Sequence, residues 1–134
     1  MAIYKHPKTN CSEFLQQFDE ILCSKMISNL NENILVIGDF NLNTSRQTKI
    51  SDNYKTLIKR QSLINMIETA TRITSSSETL IDHALIKLSF FNDFTIEKNE
   101  LEIIDHQPII ISLKTGLNKL RPKQPLTTLK RLFC

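Results

Sequence analysis

The sequence predicts an α/β domain built on a mixed β-sheet with flanking helices. Three observations carry that prediction. The stretch "ILVIGDFNLN", Ile34 to Asn43, sets four apolar residues directly before Gly, Asp, Phe and Asn, as in a strand that ends in a loop. Residues 13–29 and 52–60 repeat apolar positions at helical spacing. "TLIDHALIK" (Thr79 to Lys87) and "PIIISLK" (Pro108 to Lys114) are β-rich and short enough to be buried strands. Helices alternating with such strands make an α/β domain with a mixed sheet.

Each element has its own justification. "AIYKHP" starts a short extended piece that Pro7 ends. Asn10 and Glu13 have capping-box spacing, and Ser12 is a second candidate N-cap. Phe14, Leu15, Phe18, Ile21, Leu22 and Met26 then define one face of an amphipathic helix over about 13–29. Residues 33–38 form the buried strand. Asp52 can cap a second helix reaching about Arg60, with Tyr54, Leu57 and Ile58 on one face. "SLINMIETATRI" reads as partly extended, Ser75 to Ser77 as a turn, and "DFTIEK" (Asp93 to Lys98) as a half-exposed strand. No internal repeat or low-complexity tract interrupts the chain.

The bulk properties bound the function. A chain of 134 residues, 40% hydrophobic and 23% charged, is one domain with a real core. Apolar runs of about four residues are too short to span a membrane, and "MAIYKHPK" lacks a secretory apolar stretch. Three cysteines without CxxC spacing argue against a disulfide framework or zinc site. The expectation is an intracellular protein, nuclear or cytoplasmic, and not a secreted one. Residues 1–114 hold 12 Lys+Arg against all 14 Asp+Glu; residues 115–134 hold Lys119, Arg121, Lys123, Lys130 and Arg131 without an acid. The boundary is therefore placed near Lys114, with 115–134 a basic tail or linker.

Three acids stand out by position. Asp39 follows the first long strand, where α/β proteins commonly place their chemistry, and Asn41 shares the start of its loop. Asp82 sits within an apolar stretch, where an acid is costly unless paired; its neighbour His83 is expected on the opposite sheet face. Asp105 and His106 immediately precede the last strand. Singly, each has a plain structural explanation: a turn, a backbone contact, a strand entry.

Taken together, "GDFN", then Thr71-Arg72, then "IDH", then "DHQPI" resemble the endonuclease/exonuclease/phosphatase superfamily. More narrowly they resemble the apurinic-type endonuclease domain of jockey-like non-LTR retrotransposons, over residues 3–114. The resemblance implies a metal-dependent phosphodiester hydrolase that nicks DNA. It implies that Asp39 orients the attacking water and that Asn41 holds the scissile phosphate. It implies that His106 stabilises the charged transition state while Asp82 orients it. Asp105, with Asp39, would hold Mg²⁺ (or Mn²⁺), and Thr71 and Arg72 would support the surface facing DNA. The alternatives are another phosphatase or exonuclease of the superfamily, and a non-catalytic remnant that binds nucleic acid.

The chain also departs from the family. The Asn and Glu motifs of the family's first half are absent, so it looks like the carboxyl-terminal part (1–114), one half of a four-layer α/β sandwich. Its expected partners are DNA, the missing amino-terminal half and a downstream reverse transcriptase in a parent polypeptide. The half alone would be inactive and leave one sheet face uncovered. Ile104 stands where the family usually has Ser.

Overall fold

The computed structural model describes residues 1–28, 34–87, 93–98 and 105–114. The basic tail and Ile104 lie outside these residues. Among them, strand β1 (Ala2–Tyr4) leads into helix α1 (Cys11–Ser28), strand β2 (Ile34–Asp39) and helix α2 (Lys49–Arg60). Strands β3 (Ile64–Asn65), β4 (Arg72–Ile73), β5 (Glu78–Thr79), β6 (Asp82–Lys87), β7 (Asp93–Lys98) and β8 (Ile109–Lys114) follow. The main sheet has the order β1-β2-β6-β3; β1 runs parallel to β2, and the other pairs are antiparallel. This is the mixed sheet with flanking helices that the sequence predicts. No helix among the described residues is long and apolar enough to cross a membrane.

Of the two candidate caps of α1, Asn10 serves: its Oδ1 accepts the N–H of Ser12 (2.9 Å) and of Glu13 (3.2 Å). Helix α2 corrects the sequence reading. Thr48, not Asp52, is its N-cap: Thr48 Oγ1 accepts the Ser51 N–H, and Ser51 Oγ accepts the Thr48 N–H. This reciprocal pair satisfies two helix-end donors and starts the helix one turn earlier.

Both helices pack on one sheet face. Leu15, Phe18 and Leu22 of α1 and Tyr54, Leu57 and Ile58 of α2 close over Val36, Phe40 and Leu85. Period-two alternation sends the neighbours of Val36 to the other side. The expectation that this strand is buried throughout is corrected: Val36 is 0% exposed, but Ile37 is 39% exposed. The register places Ala2 beside Ile37 and Ile64 beside Ile86, on that second face. Its centre, at Ala84, is covered by Ile67 and Leu80 with Ile109 and Ile111 against them. Its flanks are not: Tyr4 is 58% and Ile64 is 63% exposed. Gly38 brings β1 and β2 together in an unusual way. It adopts φ +156°, and a Cβ there would stand 1.7 Å from the Ile3 carbonyl oxygen.

Candidate active site

The second sheet face carries the acids at one end. Asp39 closes β2, Asp82 opens β6, and the two are register partners. The third contribution comes from the segment 105–107, which lies antiparallel to β4: the Ile73 N–H donates to Asp105 O, the Gln107 N–H to Thr71 O, and Arg72 bridges to His106. That pairing brings His106 Nδ1 to 3.0 Å from Asp82 Oδ2. A carboxylate only accepts, so the ring carries its proton on Nδ1 and leaves Nε2 for other work.

Asp39, Asp82 and His106 each offer a donor atom within 4.8 Å of the others. Burial holds the Asp39 carboxyl above the usual carboxylate range; the Asn41 N–H, 2.8 Å from Oδ1, opposes this, and the Asp82 charge adds to it. Two carboxylates crowded in this way fit a hard divalent cation, which prefers oxygen ligands and relieves their repulsion. His106 Nδ1 is committed to Asp82.

The remaining expected residues are placed differently. Asp105 lies outside this group, and its Oδ2 pairs with Arg72 Nε at 2.8 Å. That hydrogen bond lowers the Asp105 carboxyl below its usual range. The pair is about half exposed and competes with any role of Asp105 as a metal ligand. Asn41 has φ +44°; its Nδ2 donates to Lys5 O at 2.8 Å, and its side chain also hydrogen-bonds the Asp39 carboxylate, which leaves Oδ1 for a ligand. Thr71 is 0% exposed, so any support it gives the neighbouring surface comes from inside the fold. Arg72 remains at the surface.

Two supports escaped sequence reasoning. Lys5 acts through its backbone, donating N–H to Asp39 O and accepting from Asn41, so β1 fixes both ends of the loop start. His83, on the helix-facing side as expected, is 1% exposed. Its Nε2 donates to Leu42 O (3.2 Å), and its Nδ1 accepts from Asn65 Nδ2 (3.0 Å). Asn65 Oδ1 in turn accepts the Ala84 N–H. The only hint in the sequence is a polar Asn inside the apolar run "LINMI".

His83 carries a pH prediction. Burial between the Phe40 and Tyr54 rings, 5.0 and 5.1 Å away, pushes it down to about 4 from an ordinary 6.5. The unfolded chain binds the extra proton first, so this stabilisation is full above pH 6.5 and is lost as pH falls towards 4. The loss is on the order of 3 kcal/mol. Urea unfolding at about pH 7 and about pH 4.5 should show a steep decline that His83→Gln flattens. Parallel declines in both proteins would remove His83 as the cause.

No protein-family model and no curated protein matches the sequence. Among solved structures, the chain is similar to the endonuclease domain of TRAS1, a telomere-specific non-LTR retrotransposon. The TM-score is 0.61 at 12% sequence identity, covering 83% of this chain and 53% of that one. The chain therefore spans about half the length of that structure, and across that span the two share a similar α/β fold.

Proposed function

We propose that this chain is the carboxyl-terminal part of a divalent-metal-dependent DNA endonuclease domain. The observation that carries the reading is the convergence of Asp39, Asp82 and His106, from three separate segments, at one end of the sheet. On this reading Asp39 orients a water and takes its proton as the water oxygen attacks phosphorus. The P–O3′ bond breaks with its electron pair going to the 3′ oxygen, which takes a proton from solvent water and leaves as a hydroxyl. His106, held through Nδ1 by Asp82, presents Nε2 to the phosphate oxygen that gains charge. Asn41, whose amide braces Asp39, stands beside the same phosphate, and Arg72 lies on the surface facing the DNA. Mg²⁺ or Mn²⁺, held by Asp39 beside the Asp82–His106 pair, would neutralise charge on the phosphate.

The uncovered flanks of the second sheet face support a further part of the reading. A second sheet, from the amino-terminal half of such a domain, packs there and supplies the remaining metal ligand. Residues 115–134 then lead towards a reverse transcriptase in an intracellular parent polypeptide. Without the second sheet, Tyr4 and Ile37 at one flank and Ile64 at the other stay exposed, apolar side chains of the kind that recruit a partner. The chain alone should bind a hydrophobic dye and self-associate with rising concentration in analytical ultracentrifugation. A monodisperse monomer that binds no dye would remove the second sheet from the proposal.

The functional test uses supercoiled plasmid, the chain fused to an amino-terminal half-domain, and Mg²⁺ with or without EDTA. Metal-dependent conversion to open circles is expected from the fusion and not from the chain alone. Release of phosphate or of single nucleotides instead of nicks would move the chain to the phosphatase or exonuclease branch.

A further inference from the structure

Asp82 and His106 lie 24 residues apart in sequence, yet they are joined side chain to side chain. One buried residue is bonded to the backbone on both sides of that pair. Thr71 Oγ1 accepts two successive amides, Ile81 N–H at 3.2 Å and Asp82 N–H at 3.0 Å. Its carbonyl accepts the Gln107 N–H at 2.7 Å, directly after His106, and its own N–H donates to Thr79 O. The segment Leu80–Asp82 is held from its other side by the loop after Asp39: the Phe40 N–H donates to Ile81 O, and the Thr44 N–H donates to Leu80 O. Thr71 thus faces a short piece of chain between β5 and β6, whose other edge carries the Asp39 loop.

We propose that Thr71 is a positioning residue that sets the Asp82–His106 pair by holding the Asp82 amide with its hydroxyl and the His106 segment with its carbonyl. Its importance for catalysis rests on the function proposed above; the positioning itself does not. The physical argument is one of satisfaction. Two adjacent amides, one buried and one partly buried, turn to one hydroxyl oxygen, and removing that oxygen takes this acceptor from both. The chain must then shift to find water or another partner. Because Asp82 is one of the two residues so held, its carboxylate shifts with it.

The test uses the full chain and no nuclease assay, so failure of the endonuclease reading leaves it intact. Thr71→Val keeps the shape and deletes the hydroxyl; Thr71→Ser keeps the hydroxyl and deletes a methyl. In the wild type, ¹⁵N NMR should show His106 in the Nδ1–H form. In Thr71→Val that form should give way to a tautomer mixture. The Ile81 and Asp82 amides should exchange about tenfold faster or more, while Val36 and Leu85 keep their protection. Thr71→Ser should resemble the wild type in all three readings. If Thr71→Val fails to fold, the Ser variant decides alone: a retained His106 tautomer and retained Ile81 and Asp82 protection support the assignment. A wild-type signature in Thr71→Val would overturn it. So would a Ser variant that loses protection evenly across the core, since Thr71 would then act by packing.

Discussion

Gly38→Ala is expected to strip β1 from the sheet and cost about 3 kcal/mol or more, as a strained backbone and a direct clash combine. Two features of the position act together. At φ +156° an L side chain is strained whatever space surrounds it. The space is also absent, since the new methyl would meet the Ile3 carbonyl oxygen and carbon, at 1.7 and 2.7 Å. Those atoms are backbone in a paired strand, so no rotamer change relieves the contact and β1 itself must move. With β1 go the Lys5 N–H bond to Asp39 O and the Lys5 carbonyl that holds Asn41. The damage therefore reaches the loop that carries Asp39. Urea unfolding should show a lower midpoint for Gly38→Ala, and hydrogen exchange should show lost protection at Lys5 and Asn41 first. Ile37→Ala, next door on the exposed face, should cost far less. An unshifted midpoint for Gly38→Ala would mean that β1 does not pair with β2 as described.

The parts legible in the sequence were those written in local periodicity. The face of α1 from Phe14 to Leu22 and the strand ending at Gly38-Asp39 follow from spacing alone, and so does β6 from "DHALIK". The cap of α2 was not legible, because Thr48, Ser51 and Asp52 are all cap-type residues and only the Thr48–Ser51 geometry decides among them. The two-residue strands β4 and β5 could not be read either. They pair with each other over two residues apiece, which is too short a run for any alternation to show. The same holds within the site. Asp82 stood out because an acid inside an apolar run demands a partner, whereas Asp39 and His106 stood out by their places at strand ends and by the order of motifs they share with it. The Arg72–Asp105 pair and the His83–Asn65 bond were invisible, since each joins a residue to a loop whose path no local pattern encodes.

In the domain with its amino-terminal half restored, His106→Ala should lower the nicking rate by roughly two to three powers of ten, the usual effect of removing one preorganised transition-state stabiliser. Asp39→Ala should be at least as damaging, because a water in the right place and its proton acceptor are lost together. Asp82→Ala should fall between wild type and His106→Ala: the imidazole remains, but nothing holds its proton on Nδ1. The double variant Asp82→Ala with His106→Ala should be scarcely worse than His106→Ala alone, since Asp82 acts through the ring it orients. A different pattern is expected from the basic stretch 115–134. Lys123→Ala and Arg131→Ala should leave metal-dependent turnover nearly intact and change at most the salt dependence of binding. The double variant is the sharpest of these measurements. If Asp82→Ala and His106→Ala multiply independently, Asp82 contributes by another route, such as holding the cation itself, and the dyad assignment falls. Robust nicking by the bare chain, abolished by EDTA and by Asp39→Ala, would overturn the other half of the argument. The group at Asp39 and Asp82 would then suffice to hold the metal without a second sheet.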